Sequence, residues 1–176
     1  MSIVLDHLRD LVPLFRGNKP LPGTGYRAQP EYLLDHAHEF GSARLTSDER
    51  RIVEAALDCT EELTFKTCYA NAQRVVVSDD TGALEYHEGY AFSDVGLVAA
   101  HAWASINRKV LDVTWEDHRG RWVRGELPPR WEYVGVEIER DYLVERRAAM
   151  RRPGSLLVDD IFEFAALLRW KAGAGA

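Results

Sequence analysis

Three consecutive runs decide the fold: LEYHEGYAF from Leu84 to Phe92, VAAHAWASI from Val98 to Ile106, and KVLDVTW from Lys109 to Trp115. In the first, Leu84, Tyr86, Glu88, Tyr90 and Phe92 alternate with Glu85, His87, Gly89 and Ala91. A period of two belongs to a strand. A turn at Ser93-Asp94 to Gly96 leads into the second run, and Asn107-Arg108 between the second and third predicts a two-residue hairpin loop. With Ile106 then paired to Lys109, Trp103 falls opposite Asp112 and His101 opposite Thr114. His101 and Asp112 therefore share one face as diagonal neighbours, ~7–8 Å apart at the backbone. A loop of odd length without a bulge would send Asp112 to the other face. Ala100, Ala102 and Ala104 leave room on the far face for a second layer.

Outward from these strands the pattern turns helical. Thr46 with Glu49 is a capping-box pair that opens a helix over 47–58, with Ile52, Val53, Ala56 and Leu57 as its apolar face. Thr67 is the candidate cap of a helix from Cys68 to about Val77, stopped by Asp79-Asp80-Thr81-Gly82. Tyr133 to Val136 reads as a fourth strand. Helices follow over 139–150 and 157–170, the latter with Val158, Ile161, Phe162, Ala165 and Leu168 as a buried stripe. Helices, then a run of strands, then helices argue for an α+β fold, helices packed on an antiparallel sheet. Residues 1–30 read as a short N-terminal helix and an extended Gly/Pro arm (17–30), residues 31–171 as a single domain, and 172–176 as a frayed tail.

The chain has 176 residues and a formal net charge of −6, with 46% apolar and 28% charged residues. That is an ordinary globular mixture. An acidic chain is a poor match for a broad grip on nucleic acid. No apolar run approaches the ~18 residues of a membrane span, and Asp6 comes too early for a signal peptide. Cys59 and Cys68 make no disulfide framework. The expectation is a cytoplasmic protein with free thiols, without membrane contact and without a cofactor.

Cys68, His101 and Asp112 are the residues that carry chemistry. A thiol nucleophile needs a base to take its proton and a third group to orient that base. Cys68 opens a helix, where unpaired amides and the dipole favour a thiolate and aim a backbone N–H at a developing oxyanion. Cys59 closes one, where the dipole works against the thiolate. The candidate substrate-facing residues are Trp103, Glu88 and Asn71. Packing is the default role of Trp103 and Trp115, and sheet surface or core that of Glu88 and Tyr90. Asn71, or a residue before Cys68, is the candidate second oxyanion donor.

His101-Ala102-Trp103 followed by Leu111-Asp112-Val113-Thr114-Trp115 resembles the H-A-W…D-x-T-W pattern of transglutaminase-like cysteine proteins, a branch of the papain-like group. Cys68 upstream at a helix start matches the family's Cys–His–Asp order, and Glu88-Gly89-Tyr90 fits the strand before the histidine. The layout is similar to that of small bacterial and phage members, over about residues 60–136. Val113 stands where the family often has proline, Tyr69 where many members have tryptophan, and nothing matches a calcium-binding loop. The resemblance implies a papain-like fold and a nucleophile at a helix N-terminus. It assigns Cys68 as nucleophile, His101 as general base and Asp112 as its orienter. The implied chemistry is attack on an amide or ester carbonyl through a thioester, in a protease, deamidase or transglutaminase acting on a protein or peptide. A binding module that keeps the fold without the chemistry is the alternative. Acyl transfer from an acyl-CoA, with the Arg146, Arg147, Arg151 and Arg152 cluster meeting phosphates, is a weaker one.

Other motifs are read as structure. His36-Ala37-His38 lacks companion ligands for a metal. Leu21-Pro22-Gly23-Thr24-Gly25 is a turn, too short for a phosphate loop. The arginine cluster is a solvated face. No G-x-S-x-G is present, which disfavours a serine hydrolase.

Overall fold

The computed structural model describes residues 2–60, 63–64, 66–93, 96–115 and 131–174. The hairpin that fixes the register forms as its loop chemistry requires. Strands β3 (Val98–Ile106) and β4 (Lys109–Leu111) pair Ile106 with Lys109 and Ala104 with Leu111. Asn107 and Arg108 both have positive φ, 50° and 62°. A two-residue turn needs that at both central positions to match the twist of its strands. Arginine is a poor occupant of the left-handed region, but here it is anchored. Its guanidinium donates to the Glu39 carbonyl at 3.1 Å and lies 5.6 Å over the Phe40 ring.

The third run gives only three residues of strand. The Asp112 carboxylate accepts from the backbone N–H groups of Thr114 (3.0 Å) and Trp115 (3.1 Å), which turns the chain out of the ladder. Around the hairpin stand β1 (His38–Phe40), β2 (Glu85–Phe92) and β5 (Glu132–Ile138), in the order β1-β5-β2-β3-β4, with antiparallel neighbours throughout. The two edges meet. Gly41 and Lys109 form a parallel bridge, and the Val110 N–H donates to the Gly41 carbonyl at 3.2 Å, rolling the sheet towards a closed barrel.

Rolling gives the sheet an inner face. Phe40 of β1 reaches Trp103 of β3 with ring centroids 5.5 Å apart, across two intervening strands. Trp103 also meets Tyr133 (5.2 Å), and Phe40 meets His87 (4.4 Å). Two paired glycines, Gly89 and Gly135, make room for this filling. A Cβ on Gly135 would lie 2.5 Å from the Trp103 ring, and one on Gly89 would lie 2.1 Å from the Val134 carbonyl oxygen.

Helices cover the outer face. They are α1 (Ile3–Leu11), α2 (Gln29–His36), α3 (Ser47–Asp58), α4 (Cys68–Ser78), α5 (Arg140–Ala149) and α6 (Ile161–Arg169). α4 packs on β3 and β2, and α1 on β5, β2 and β3. The alanine row meets this layer: Ala102 and Ala104 are fully buried. The capping box of α3 is present, with the Thr46 side chain accepting from the Glu49 N–H and Glu49 reaching back to the Thr46 N–H. None of the described helices is long and apolar enough to cross a membrane.

Expectations for the two ends of the chain need correcting. α1 is part of the body and not of a separate arm. Val4 and Leu8 are fully buried, and Glu132 accepts from the N–H groups of Ile3 (3.1 Å) and Val4 (2.9 Å). The arm itself folds into a turn, Leu21 N–H donating to the Tyr26 carbonyl, and Tyr26 packs on Tyr32 of α2. The last helix starts at Ile161, where Asp160 caps it by accepting from the N–H groups of Phe162 and Glu163. Its buried residues are Phe164, Leu167 and Leu168, while Phe162 is 81% exposed. The segment is apolar nearly all round, so its spacing alone does not choose a face. Residues 170–174 continue as a wider helical turn that runs into the expected tail at 172–176. Asp94 in the expected β2–β3 turn and residues 175–176 lie outside the described residues.

Gly89→Ala is expected to destabilise the fold by at least ~1–3 kcal/mol, because backbone must move to admit the methyl group. Gly17→Ala, with open space around it, is the control. Urea unfolding of both variants checks this, and equal midpoints would refute the close-approach account.

Candidate active site

α4 begins at the nucleophile candidate. Thr67 holds the N-cap position but gives no side-chain bond to the first-turn amides. Its hydroxyl donates to the Thr64 carbonyl at 2.7 Å instead. Cys68 is half-buried and Cys59 exposed, both as free thiols.

Among the described residues β3 pairs with β4 only over Ala104–Ile106, and its first half pairs with β2 alone. His101 sits on this half, on the inner face, 1% exposed. The diagonal gap to Asp112 closes as the parity requires: the imidazole Nε2 lies 2.7 Å from an Asp112 carboxylate oxygen. Cys68 adds to the electrostatics of the ring and favours its charged form. With Nε2 engaged by Asp112, Nδ1 is the ring nitrogen left for a second partner. The indole of Trp115 stacks on the imidazole with centroids 4.0 Å apart, and Trp131 meets Trp115 edge-on at 5.4 Å.

Asp112 is wholly buried and fully hydrogen-bonded. Besides His101 it accepts from the Tyr133 hydroxyl at 2.9 Å and from the two amides of its own turn. Burial pushes its pKa up, but the His101 charge, the bond to His101 and these amides outweigh it and hold the carboxyl below its ordinary value. For His101, burial disfavours the charged ring; Asp112 and Cys68 overcome this and push its pKa up to about 9. The pair is therefore an imidazolium facing a carboxylate at neutral pH.

The residues expected to face a substrate do something else. Trp103 is fully buried in the barrel filling and presents no surface. Asn71 is 1% exposed. Its side-chain N–H groups donate to the Thr64 carbonyl (2.8 Å) and to the Thr114 hydroxyl (3.1 Å), so neither is left for an oxyanion. It joins the loop before Cys68 to the turn after Asp112. Glu88 is also fully buried, with its carboxylate engaged by residues 155–158. Two partners escaped the sequence reading. Tyr133 bonds Asp112 across the sheet, and Tyr69 donates to Asp159 at 2.5 Å. Burial, then Asp159, raise the Tyr69 pKa. The parity that placed Asp112 would have placed Tyr133 too, but the β2–β5 register spans a long connection and is not readable locally. No group of metal-ligating side chains occurs among the described residues.

No family model, curated protein or solved structure matches the chain. The geometry holds the His101 ring in place through the Asp112 carboxylate.

The ion pair makes stability pH-dependent with a definite sign. A histidine raised from 6.5 to about 9 contributes fully below pH 6.5 and loses its contribution as pH rises through 9. The unfolding free energy of the wild type is expected to decline across that window. In Asp112→Asn the decline should shrink towards zero. An unchanged slope in the variant, measured by urea unfolding at pH 6, 7.5 and 9, would exclude the pair as its source.

Proposed function

We propose that this chain is a cysteine hydrolase or acyl transferase of the papain-like, transglutaminase-like kind, acting on an amide of a protein or peptide. The observation that carries the reading is a buried histidine held by a carboxylate and influenced by a thiol. Buried His101 has one ring nitrogen 2.7 Å from Asp112, and half-buried Cys68, which opens α4, favours its charged form. The rolled α+β sheet, with α4 packed on the histidine strand, supports the same reading.

In this mechanism His101 Nδ1 already holds the proton of the Cys68 thiol at neutral pH, so the resting pair is thiolate and imidazolium. The thiolate attacks the amide carbonyl carbon, and the oxyanion takes the Cys68 backbone N–H as a donor. His101 then protonates the departing amine nitrogen as the C–N bond breaks, leaving a thioester on Cys68. Water or a second amine gives a proton back to His101, attacks the thioester and releases an acid or a new amide with the free thiolate. Asp112 stays ionised throughout and fixes the tautomer in which Nδ1 faces sulfur.

The test is the pH dependence of iodoacetamide alkylation, read at Cys68 and Cys59 separately by mass spectrometry. Cys68 is expected to react fast at pH ~6, where an ordinary thiol near ~8.5 is almost wholly protonated. His101→Ala is expected to slow it at that pH by about 10²-fold or more. A Cys68 that is inert, or that follows the Cys59 profile, sinks the proposal and favours the binding-module reading. Once an amide substrate is found by screening, kcat/KM should fall through a basic limb near pH 9, the His101 value. Asp112→Asn should move that limb to lower pH, and a limb that stays in place would remove Asp112 from the mechanism.

A further inference from the structure

The first turn of α4 is held from two sides. On one, Asn71 ties it to the Asp112 turn through Thr114. On the other, it is held by residues 154–159, which connect α5 to α6. Gln73 of α4 donates to the Gly154 carbonyl at 2.8 Å, and Tyr69, the residue after the thiol, donates to Asp159 at 2.5 Å. Gln73 also donates to the Tyr86 hydroxyl at 3.2 Å.

Beneath this strap lies Glu88, fully buried on the outer face of β2. It accepts from Ser155 Oγ (2.6 Å) and from the N–H groups of Leu156 (2.6 Å), Leu157 (3.0 Å) and Val158 (3.2 Å). The Tyr86 hydroxyl adds a fifth donor at 2.7 Å. Ser155 Oγ in turn accepts from the Val158 and Asp159 N–H groups at 2.8 and 3.0 Å. Consecutive amides converging on one carboxylate leave the strap a single conformation. A buried carboxylate with so many donors is a costly way merely to fill space, since an apolar side chain would do that without desolvating a charge. What the arrangement adds is position. Glu88 adjoins Gly89, the residue paired with His101. One short stretch of β2 thus supports the base from one side and the strap on the nucleophile's helix from the other.

We infer that Glu88 is a positioning residue: through residues 155–159 and the Tyr69–Asp159 bond it fixes the first turn of α4 and so the approach of Cys68 to His101. This rests on the reading of Cys68 as nucleophile. The strap holds no substrate in this account, and Glu88 touches none.

The test uses the full chain and the iodoacetamide profile of Cys68 in Glu88→Gln and Tyr69→Phe. In the first variant the side-chain amide offers one acceptor oxygen where the carboxylate offers two, and places N–H groups against backbone donors. Tyr69→Phe cuts only the link from strap to helix. The expected result is slower alkylation of Cys68 at pH ~6 in both variants, by about tenfold for E88Q and about two- to fivefold for Y69F, with the profile moving towards that of Cys59. A variant that loses thermal stability but keeps the wild-type profile marks a purely structural role. If both variants fold and keep that profile, the inference is overturned. Should E88Q fail to fold, Y69F decides by the same criterion. A wild-type Cys68 that already follows Cys59 overturns the nucleophile reading and the inference together. That outcome is distinguishable, because failure of the inference alone leaves the wild-type profile displaced and only the variants unmoved.

Discussion

The Asp112 carboxylate is the constraint on which the candidate site depends. It is wholly excluded from solvent, where an ionised group persists only if it is paired and its lone pairs are used. Each donor that meets this demand also shapes the protein. The amides of Thr114 and Trp115 end β4 and turn the chain, and the turn lays the Trp115 indole on the imidazole. The Tyr133 hydroxyl brings β5 to the same carboxylate. His101 supplies the opposite charge and is oriented in return. Trp115 and Trp131 exclude water from the pair, which strengthens the attraction and raises the cost of leaving either member alone.

His101 points to the inner face of the rolled sheet while α4 lies on the outer one. Among the described residues the β3–β4 ladder covers only Ala104–Ile106, and His101 lies on the part of β3 beyond it. The same carboxylate that orients the ring also ends that ladder. The roll in turn depends on Gly89 and Gly135, where the paired backbones and the Trp103 ring leave no space for a Cβ.

Much of this was legible locally. Hairpin parity fixed the shared face of His101 and Asp112 because the turn is two residues long, and register then follows by counting. The capping box of α3 was readable for the same reason, its partners lying within one turn of chain; α4 starts at Cys68 as expected, although Thr67 gives it no cap bond. What failed was non-local or degenerate. Glu88 and Asn71 are polar residues near the motif, and sequence alone does not separate a group aimed at substrate from one bonded to a distant loop. Trp103 is the filling of a barrel whose closure rests on a single bridge between Gly41 and Lys109. In the last helix, Ile161, Phe162, Phe164, Leu167 and Leu168 surround the axis, so tertiary packing and not period chose the inward side.

Glu49, Glu88 and Asp112 are three of the buried carboxylates of this fold, and their partners differ. Glu49 accepts from Lys109 and from Asn107, joining α3 to the hairpin turn. Burial pushes its pKa up, yet these bonds and the Thr46 amide hold it low. Glu88 joins β2 to the strap through hydroxyls and amides, and burial there wins and raises its pKa. In both sets the donors keep their protons at neutral pH, so the sets fix geometry and nothing moves. Asp112 differs in a single donor. His101 has a second ring nitrogen, and on the proposed reading that nitrogen serves the Cys68 thiol at the start of α4. Asp112 is then the one of these three carboxylates that is linked to the reacting atom.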